Sequence, residues 1–150
     1  MKLTSPVFEN DQQIPSHYTC DGDGEGARVP LEISSAPPAT RSFALIVDDL
    51  DAKDGDQNFL HWLVWNIHPH TTLIGEHKPL PGAIEGRTSF GTYHWGAPCP
   101  PQGVHQYRFR LFALDAELSL PQDSTAEDVE EEIDGHIIEQ AELVGTYSRK

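Results

Sequence analysis

Basic side chains are scarce in this sequence: 10 Lys and Arg stand against 24 Asp and Glu in 150 residues, a formal net charge of −14. A field of that sign repels nucleic-acid phosphates and anionic membranes, which excludes a broad nucleic-acid role. Any anion site must therefore be built locally, from His, the few Arg and backbone N–H groups. Long apolar runs are also missing, and none approaches the roughly 20 residues of a transmembrane helix. The opening MKLTSPVF has no apolar stretch of the kind that marks a secretory signal. The expectation is a cytoplasmic protein without an integral membrane segment. Cysteine is limited to Cys20 and Cys99, too few for a disulfide-stapled scaffold. In a cytoplasmic chain two reduced thiols are expected, and one disulfide joining their loops is the alternative that geometry decides.

What is present is a core. Hydrophobic residues make up 37% of the chain and aromatics 9%, a globular composition whose length suits a single domain over 1–150. Phe43–Val47 and Phe59–Ile67 are apolar, β-branched and aromatic runs that predict strands, the first buried on both faces. In the second, strict alternation would put Phe59, His61, Leu63, Trp65 and Ile67 on one face. Tyr107–Leu114 alternates most clearly, with Arg108 and Arg110 outward. Shorter strands are expected at Leu3–Phe8, Val29–Ser34, Thr71–Gly75 and Leu143–Tyr147. Gly86–Gly103 is a long Pro/Gly-rich loop, of the kind that is usually functional. One helix is expected over about 124–139. Ser124 would cap it with Glu127 in a capping box, Val129, Ile133 and Ile137 would form its buried stripe, and Gly135 would weaken it. Many short strands and one late helix predict a mostly β fold, an antiparallel Greek-key β-sandwich with short peripheral helices or turns.

Chemistry concentrates in two places. Asp49 and Asp51 stand where the first strong strand ends, and His61 lies just inside the next. His105 and Tyr107, two residues apart and so on one strand face, follow the long loop. Singly, each has a structural explanation, since carboxylates at strand ends form turns and a histidine on an apolar strand is often a satisfied core residue. Function requires the two groups to converge.

The residues resemble the phosphatidylethanolamine-binding protein family, in its short bacterial and archaeal branch, the Raf kinase inhibitor-like proteins. Asp49-Leu-Asp51-Ala-Lys53 with His61-Trp-Leu-Val-Trp-Asn66 is similar to the first family signature, D-P-D-A-P followed by H-W/F-L/V-V-x-N. Gly96-Ala-Pro-Cys-Pro-Pro101 with Gly103-Val-His105-Gln-Tyr107 is similar to the second, G-x-G-P-x-P-P and G-x-H-R-Y. The likeness extends through Ser5–Phe8, Ile14–Gly22, Gly135–Ile137 and Ala141–Arg149. Three departures stand out. Leu50 and Lys53 replace two prolines, which predicts a less rigid loop; Ala97 replaces a glycine; and Gln106 replaces an arginine.

The resemblance implies a small pocket for phosphate-like or carboxylate head groups, with Asp49, Asp51, His61, Gly96, Ala97, Pro98, His105 and Tyr107 as ligand-binding residues. His61 and His105 would donate N–H groups, with Asp49 as the carboxylate orienting His61 and Asp51 organising the loop. Backbone N–H groups near Gly96 and Ala97 would add donors, and Trp62, Trp65 or Trp95 an apolar rim. No nucleophile–base pair is evident, so the expectation is a non-enzymatic binding protein without cofactor or metal. The family name implies a kinase or protease as protein target, and bacterial relatives imply a homodimer. The chain ends soon after its last strand, which would leave the pocket more open or covered by another subunit. The competing reading is a metal-dependent hydrolase on Asp49, Asp51, His61 and His105, with His68-Pro-His70 as a weaker metal candidate.

Overall fold

Phe43–Val47 is uninterruptedly apolar because it runs through the middle of a sheet covered on both faces. The computed structural model describes residues 1–22 and 26–149. In chain order its strands are β1 (Lys2–Thr4), β2 (Leu31–Ser34), β3 (Ser42–Asp54), β4 (Gln57–Ile67), β5 (Leu73–Ile74), β6 (Ile84–Glu85), β7 (His105–Leu114) and β8 (Ile137–Tyr147), with helix α1 (Ala126–Ile133) before the last. Antiparallel pairing gives a three-stranded sheet β1-β2-β5 and a five-stranded sheet β6-β4-β3-β7-β8. Phe43, Leu45, Val47, Trp62, Val64 and Phe109 fill the core shared with β1 and β2. Ala44, Ile46, Leu63, Trp65 and Phe112 face the other way and are covered by Val129 and Ile133 of α1. Burying each large apolar side chain contributes about 1.5–3 kcal/mol, so both faces of β3 are under strong selection for apolar residues.

Register places the polar residues. On β3 and β4, Val47 pairs with Trp62, but Asp48 pairs with Leu60. His61 is therefore an extra residue, a β-bulge of the kind that redirects side chains near sites. Trp62 and Leu60 consequently belong to opposite cores, which strict alternation does not allow. A second irregularity follows, at Asn66, whose φ is 58°, and Ile67 returns to the inter-sheet core. The expected five-residue face of β4 is thus broken: Phe59 and His61 share one environment, and Leu63 and Trp65 lie under α1. Farther along β3, Asp49 pairs with Phe59 and Lys53 with Asn58. Leu50, Asp51 and Ala52 have no counterpart on β4 and bow outward.

The helix is shorter than its sequence pattern. Its N-cap is Thr125, which forms a capping box with Asp128, one residue later than the Ser124–Glu127 pair expected. It ends at Ile133, and Gly135 is a turn residue at φ 86°, a conformation glycine enters at little cost. Ile137 opens β8 and is 43% exposed, so it is no part of the helix stripe. Strands β3, β7 and β8 are longer than expected because ladder pairing extends into polar sequence. The expectation of two reduced thiols is also corrected. Cys20 and Cys99 form a disulfide, since their loops run side by side with Cα atoms 5.4 Å apart and with Cys20 N–H donating to Pro98 O at 3.1 Å.

Thr125→Ala removes an N-cap acceptor and is expected to lower stability by about 1 kcal/mol, read as a lower urea midpoint at unchanged slope. An equal midpoint would mean that the capping box contributes nothing to the fold.

Candidate ligand-binding site

Three neighbouring strands bring the chemistry together at one sheet end. Asp49 on β3 lies opposite Tyr107 on β7, His105 is two residues before Tyr107 on the same face, and the bulged His61 is one strand away on β4. Asp49, His61, His105 and Tyr107 line a cleft of about 160 Å³ with Ala52, Phe59, Phe90, Cys99, Pro100 and Pro101. That volume is well below the roughly 300 Å³ lower bound of drug-sized pockets, so the cleft suits a small head group. A larger hollow beside α1, about 450 Å³, is lined by Glu127, Glu130, Glu131 and Asp134, which disfavours anions there.

The carboxylates are organised in a relay. Asp49 Oδ2 accepts from His105 Nδ1 at 2.7 Å, Asp49 Oδ1 accepts from Asp51 N–H at 2.8 Å, and Asp51 Oδ2 accepts from Gln106 N–H at 2.7 Å. Asp49 fixes the His105 tautomer with hydrogen on Nδ1, leaving Nε2 as the nitrogen available to a ligand. Asp51 holds the outward bow of β3 against the start of β7. The neighbouring Asp48 points to the other side, where Arg108 grips it with Nε at 3.1 Å and Nη2 at 2.8 Å and Asn58 adds a third bond.

His61 is oriented differently from expectation. Its Nδ1 donates to Gly96 O at 2.8 Å, while Gly96 N–H donates to His61 O at 2.8 Å. A backbone carbonyl, not Asp49, sets the tautomer of His61, and the Gly96 N–H expected as a ligand donor is already taken. The imidazole is 3% exposed. Burial pushes its pKa below the ordinary histidine value, only partly opposed by the Gly96 carbonyl and by the Asp49 and Asp48 charges. The ring is therefore neutral at pH 7, and Nε2 is an acceptor. The Tyr107 hydroxyl is buried beside the Asp49 carboxylate, its nearest polar partner, but too poorly placed to complete a hydrogen bond of good geometry. Burial foremost, with Asp49 next, pushes its pKa upward, so it is a phenol with a proton to donate.

Of the sequence-predicted residues, Asp49, His61, His105 and Tyr107 meet in the cleft, Asp51 stands behind it, and Gly96 holds His61 from outside. Ala97 and Pro98 are not among the lining residues; Pro98 instead receives the Cys20 N–H. The apolar rim is Phe59 and Phe90, whose rings lie 5.4 and 5.3 Å from His61 and 5.0 Å from each other. The three tryptophans lie elsewhere: Trp62 donates to Glu85, and Trp95 stacks on Phe109. Phe59 was legible as a face-mate of His61, whereas Phe90 had no local signal beyond its place in the long loop. His68 and His70 are both exposed at a turn, where the His70 N–H donates to His68 Nδ1 at 3.1 Å and the two rings lie 5.2 Å apart. Among the described residues no three His, Cys, Asp or Glu side chains are grouped to hold a metal ion.

A family model described as phosphatidylethanolamine-binding protein matches residues 4–148. The chain belongs to that family. Its relatives include a UPF0098 protein of Methanothermobacter thermautotrophicus, 42% identical over 99% of both chains. Another, from Pyrococcus abyssi, is 42% identical over 100% of this chain and 86% of the relative. The fold matches a crystal structure of a phosphatidylethanolamine-binding protein homologue of Chlamydia trachomatis, with TM-score 0.93, 37% identity, and 99% and 97% of the two chains covered. It also matches Escherichia coli YbcL, described as a new member of the mammalian family, with TM-score 0.88, 29% identity, and coverage of 99% and 98%. Membership of the phosphatidylethanolamine-binding family accounts for the mostly β, antiparallel architecture with one helix. No helix among the described residues is long and apolar enough to cross a membrane.

Gly96 has a steric reason to be glycine. A Cβ there would stand 2.1 Å from the Phe90 ring. Phe90 is 47% exposed and can swing outward, so Gly96→Ala is expected to displace it at a stability cost of about 1 kcal/mol. The displacement is visible as a loss of the Phe90 ring-current shift on the His61 ring protons. Unchanged His61 resonances would show that Phe90 does not depend on Gly96.

Proposed function

We propose that the cleft binds a small, singly charged anion, a phosphate monoester head group or a carboxylate, and carries out no reaction on it. The observation that carries this reading is the convergence of two imidazoles that line the cleft, each with Nδ1 already anchored, on a buried phenol that completes no hydrogen bond of good geometry. His105, held at Nδ1 by Asp49, would turn Nε2 to a ligand oxygen, with the Asp49 carboxylate behind the ring. Tyr107 would donate its hydroxyl. Neutral His61 would accept, and this selects a ligand that still carries an acidic proton, such as a monoanionic P–OH. Phe59 and Phe90 exclude water from one side. The carboxylate behind His105 and the overall negative charge both disfavour a dianion.

Enzymatic readings have less support. Both oxygens of Asp49 and one of Asp51 accept hydrogen bonds from the protein, which leaves a poor donor set for the metal-dependent hydrolase on Asp49, Asp51, His61 and His105. A regulatory role toward a kinase or protease would act through exposed apolar side chains such as Phe90 at the cleft, 47% exposed, and Val104 next to His105 in the chain, 63% exposed. Within this reading the chain is one phosphatidylethanolamine-binding-like domain, cytoplasmic and homodimeric.

Calorimetric titration with phosphoethanolamine from pH 5 to 8 checks the charge selection. Monoester phosphates lose their second proton near about pH 6, so the P–OH that a neutral His61 accepts from is depleted as pH rises. Affinity is thus expected to fall about tenfold or more across that range. His105→Ala is expected to weaken binding at pH 6 by about tenfold, the worth of a charge-assisted hydrogen bond. Affinity that is flat or increases with pH, or that is untouched in His105→Ala, would overturn the assignment.

A further inference from the structure

The Cys20–Cys99 disulfide contributes no hydrogen bond to the proposed ligand, yet it carries one wall of the cleft. Cys99 lines the cleft beside Pro100 and Pro101, and both cysteines are exposed. The loop between β6 and β7 has no strand or helix of its own. Three residues before Cys99 in that loop stands Gly96, whose carbonyl sets the His61 tautomer. The Cys20 side is fastened independently: Thr19 N–H and Oγ1 both bond Ser16 O, and Asp21 accepts from the Tyr147 hydroxyl and from Arg149 Nε. The disulfide thus ties an anchored loop to the wall of the cleft, across a sequence separation of 79 residues. Neither sheet depends on it, since every ladder pairs strands directly.

We propose that this disulfide is a thiol–disulfide exchange site through which redox state sets the affinity of the cleft. The reductant is a dithiol. One of its thiolates attacks an exposed protein sulfur, breaking the Cys20–Cys99 bond and forming a mixed disulfide. Its second thiol then displaces the protein sulfur and closes the reductant's own disulfide. Two electrons pass to the protein, and two protons leave Cys20 and Cys99 as thiols. Exposed disulfides are the exchangeable class. Opening leaves the Cys20 N–H to Pro98 O bond between the two loops, frees the Pro98–Pro101 wall and loosens the Gly96 carbonyl on His61. The oxidised protein is the high-affinity form.

The proposal rests on the anion-binding reading, so its test carries a readout that needs no ligand. Oxidised protein, dithiothreitol-reduced protein and Cys20→Ser are compared at pH 6 by phosphoethanolamine calorimetry, His61 ring resonances and far-ultraviolet circular dichroism. The expected result is binding weaker by about fivefold or more in both opened forms, with His61 resonances displaced and circular dichroism unchanged. Reoxidation restores the wild type alone. Equal affinity in oxidised and reduced protein overturns the proposal, and so does a collapse of the circular dichroism, which would make the bond a structural staple. If oxidised protein does not bind phosphoethanolamine, the anion reading falls and the His61 resonances decide: displacement on reduction upholds redox coupling of the cleft, and identity overturns it.

Discussion

The site depends on two hydrogen bonds between one pair of residues. His61 and Gly96 exchange a side-chain-to-carbonyl bond and a backbone-to-carbonyl bond, each 2.8 Å. These bonds attach a long irregular loop to a sheet strand at the point where a bulge turns the imidazole inward. A loop of that length has no ladder to fix it, and unpaired buried backbone groups would be costly. The histidine solves both problems, because its ring satisfies the loop carbonyl and its own carbonyl satisfies the loop N–H. In doing so it gives up Nδ1 and becomes an acceptor at Nε2. The same contact thus builds the wall and decides what chemistry the wall presents.

The charge distribution separates structural from ligand-facing carboxylates by strand parity alone. Asp48 and Asp49 are consecutive, so they leave β3 on opposite sides. Asp48 meets Arg108, directly opposite it in register, in a two-pronged ion pair. Asp49 meets His105 and leaves a nitrogen facing the cleft. In a chain of net charge −14, few cations are available. Asp48 takes the arginine, and Asp49, on the cleft side, takes the His105 imidazole. That allocation leaves the cleft without an arginine or lysine among its lining residues.

Much of the fold was legible because apolar periodicity reports burial, and burial is what β3, β4 and β7 are built from. The site's principal side chains were legible for a related reason: they lie at the ends of those same strands, within two well-marked signatures. What the sequence hid was set by register and tertiary contact. A one-residue bulge at His61 has no local signature, and it divides β4 between two cores. The helix boundary moved because a stripe at Val129, Ile133 and Ile137 continues unbroken into a strand, and only the positive φ at Gly135 marks the change. Phe90 enters the cleft because Gly96 leaves room for its ring, a pairing of residues six apart in an irregular loop. The disulfide was open in sequence because composition describes a compartment, whereas pairing needs two loops to lie side by side.

The departures from the family signature can be judged by what replaces each lost constraint. Two prolines would restrict the bow between Asp49 and Lys53 by fixing φ. Here Leu50 and Lys53 stand in their places, and the restraint comes from hydrogen bonds. Asp49 accepts the Asp51 N–H, Asp51 accepts the Gln106 N–H, and Lys53 Nζ donates to Asn58 Oδ1 at 2.8 Å. The bond from position 106 comes from its backbone, so the exchange of arginine for Gln106 leaves it intact. A proline restricts the chain in every state, folded or not, whereas a carboxylate bond acts only while both partners are in place. The bow is therefore held by contacts that exist only in the folded chain, unlike a proline-fixed loop. The same Asp49 that fixes the His105 ring also holds the bowed end of β3, so the order of both strand ends at the cleft rests on a single carboxylate.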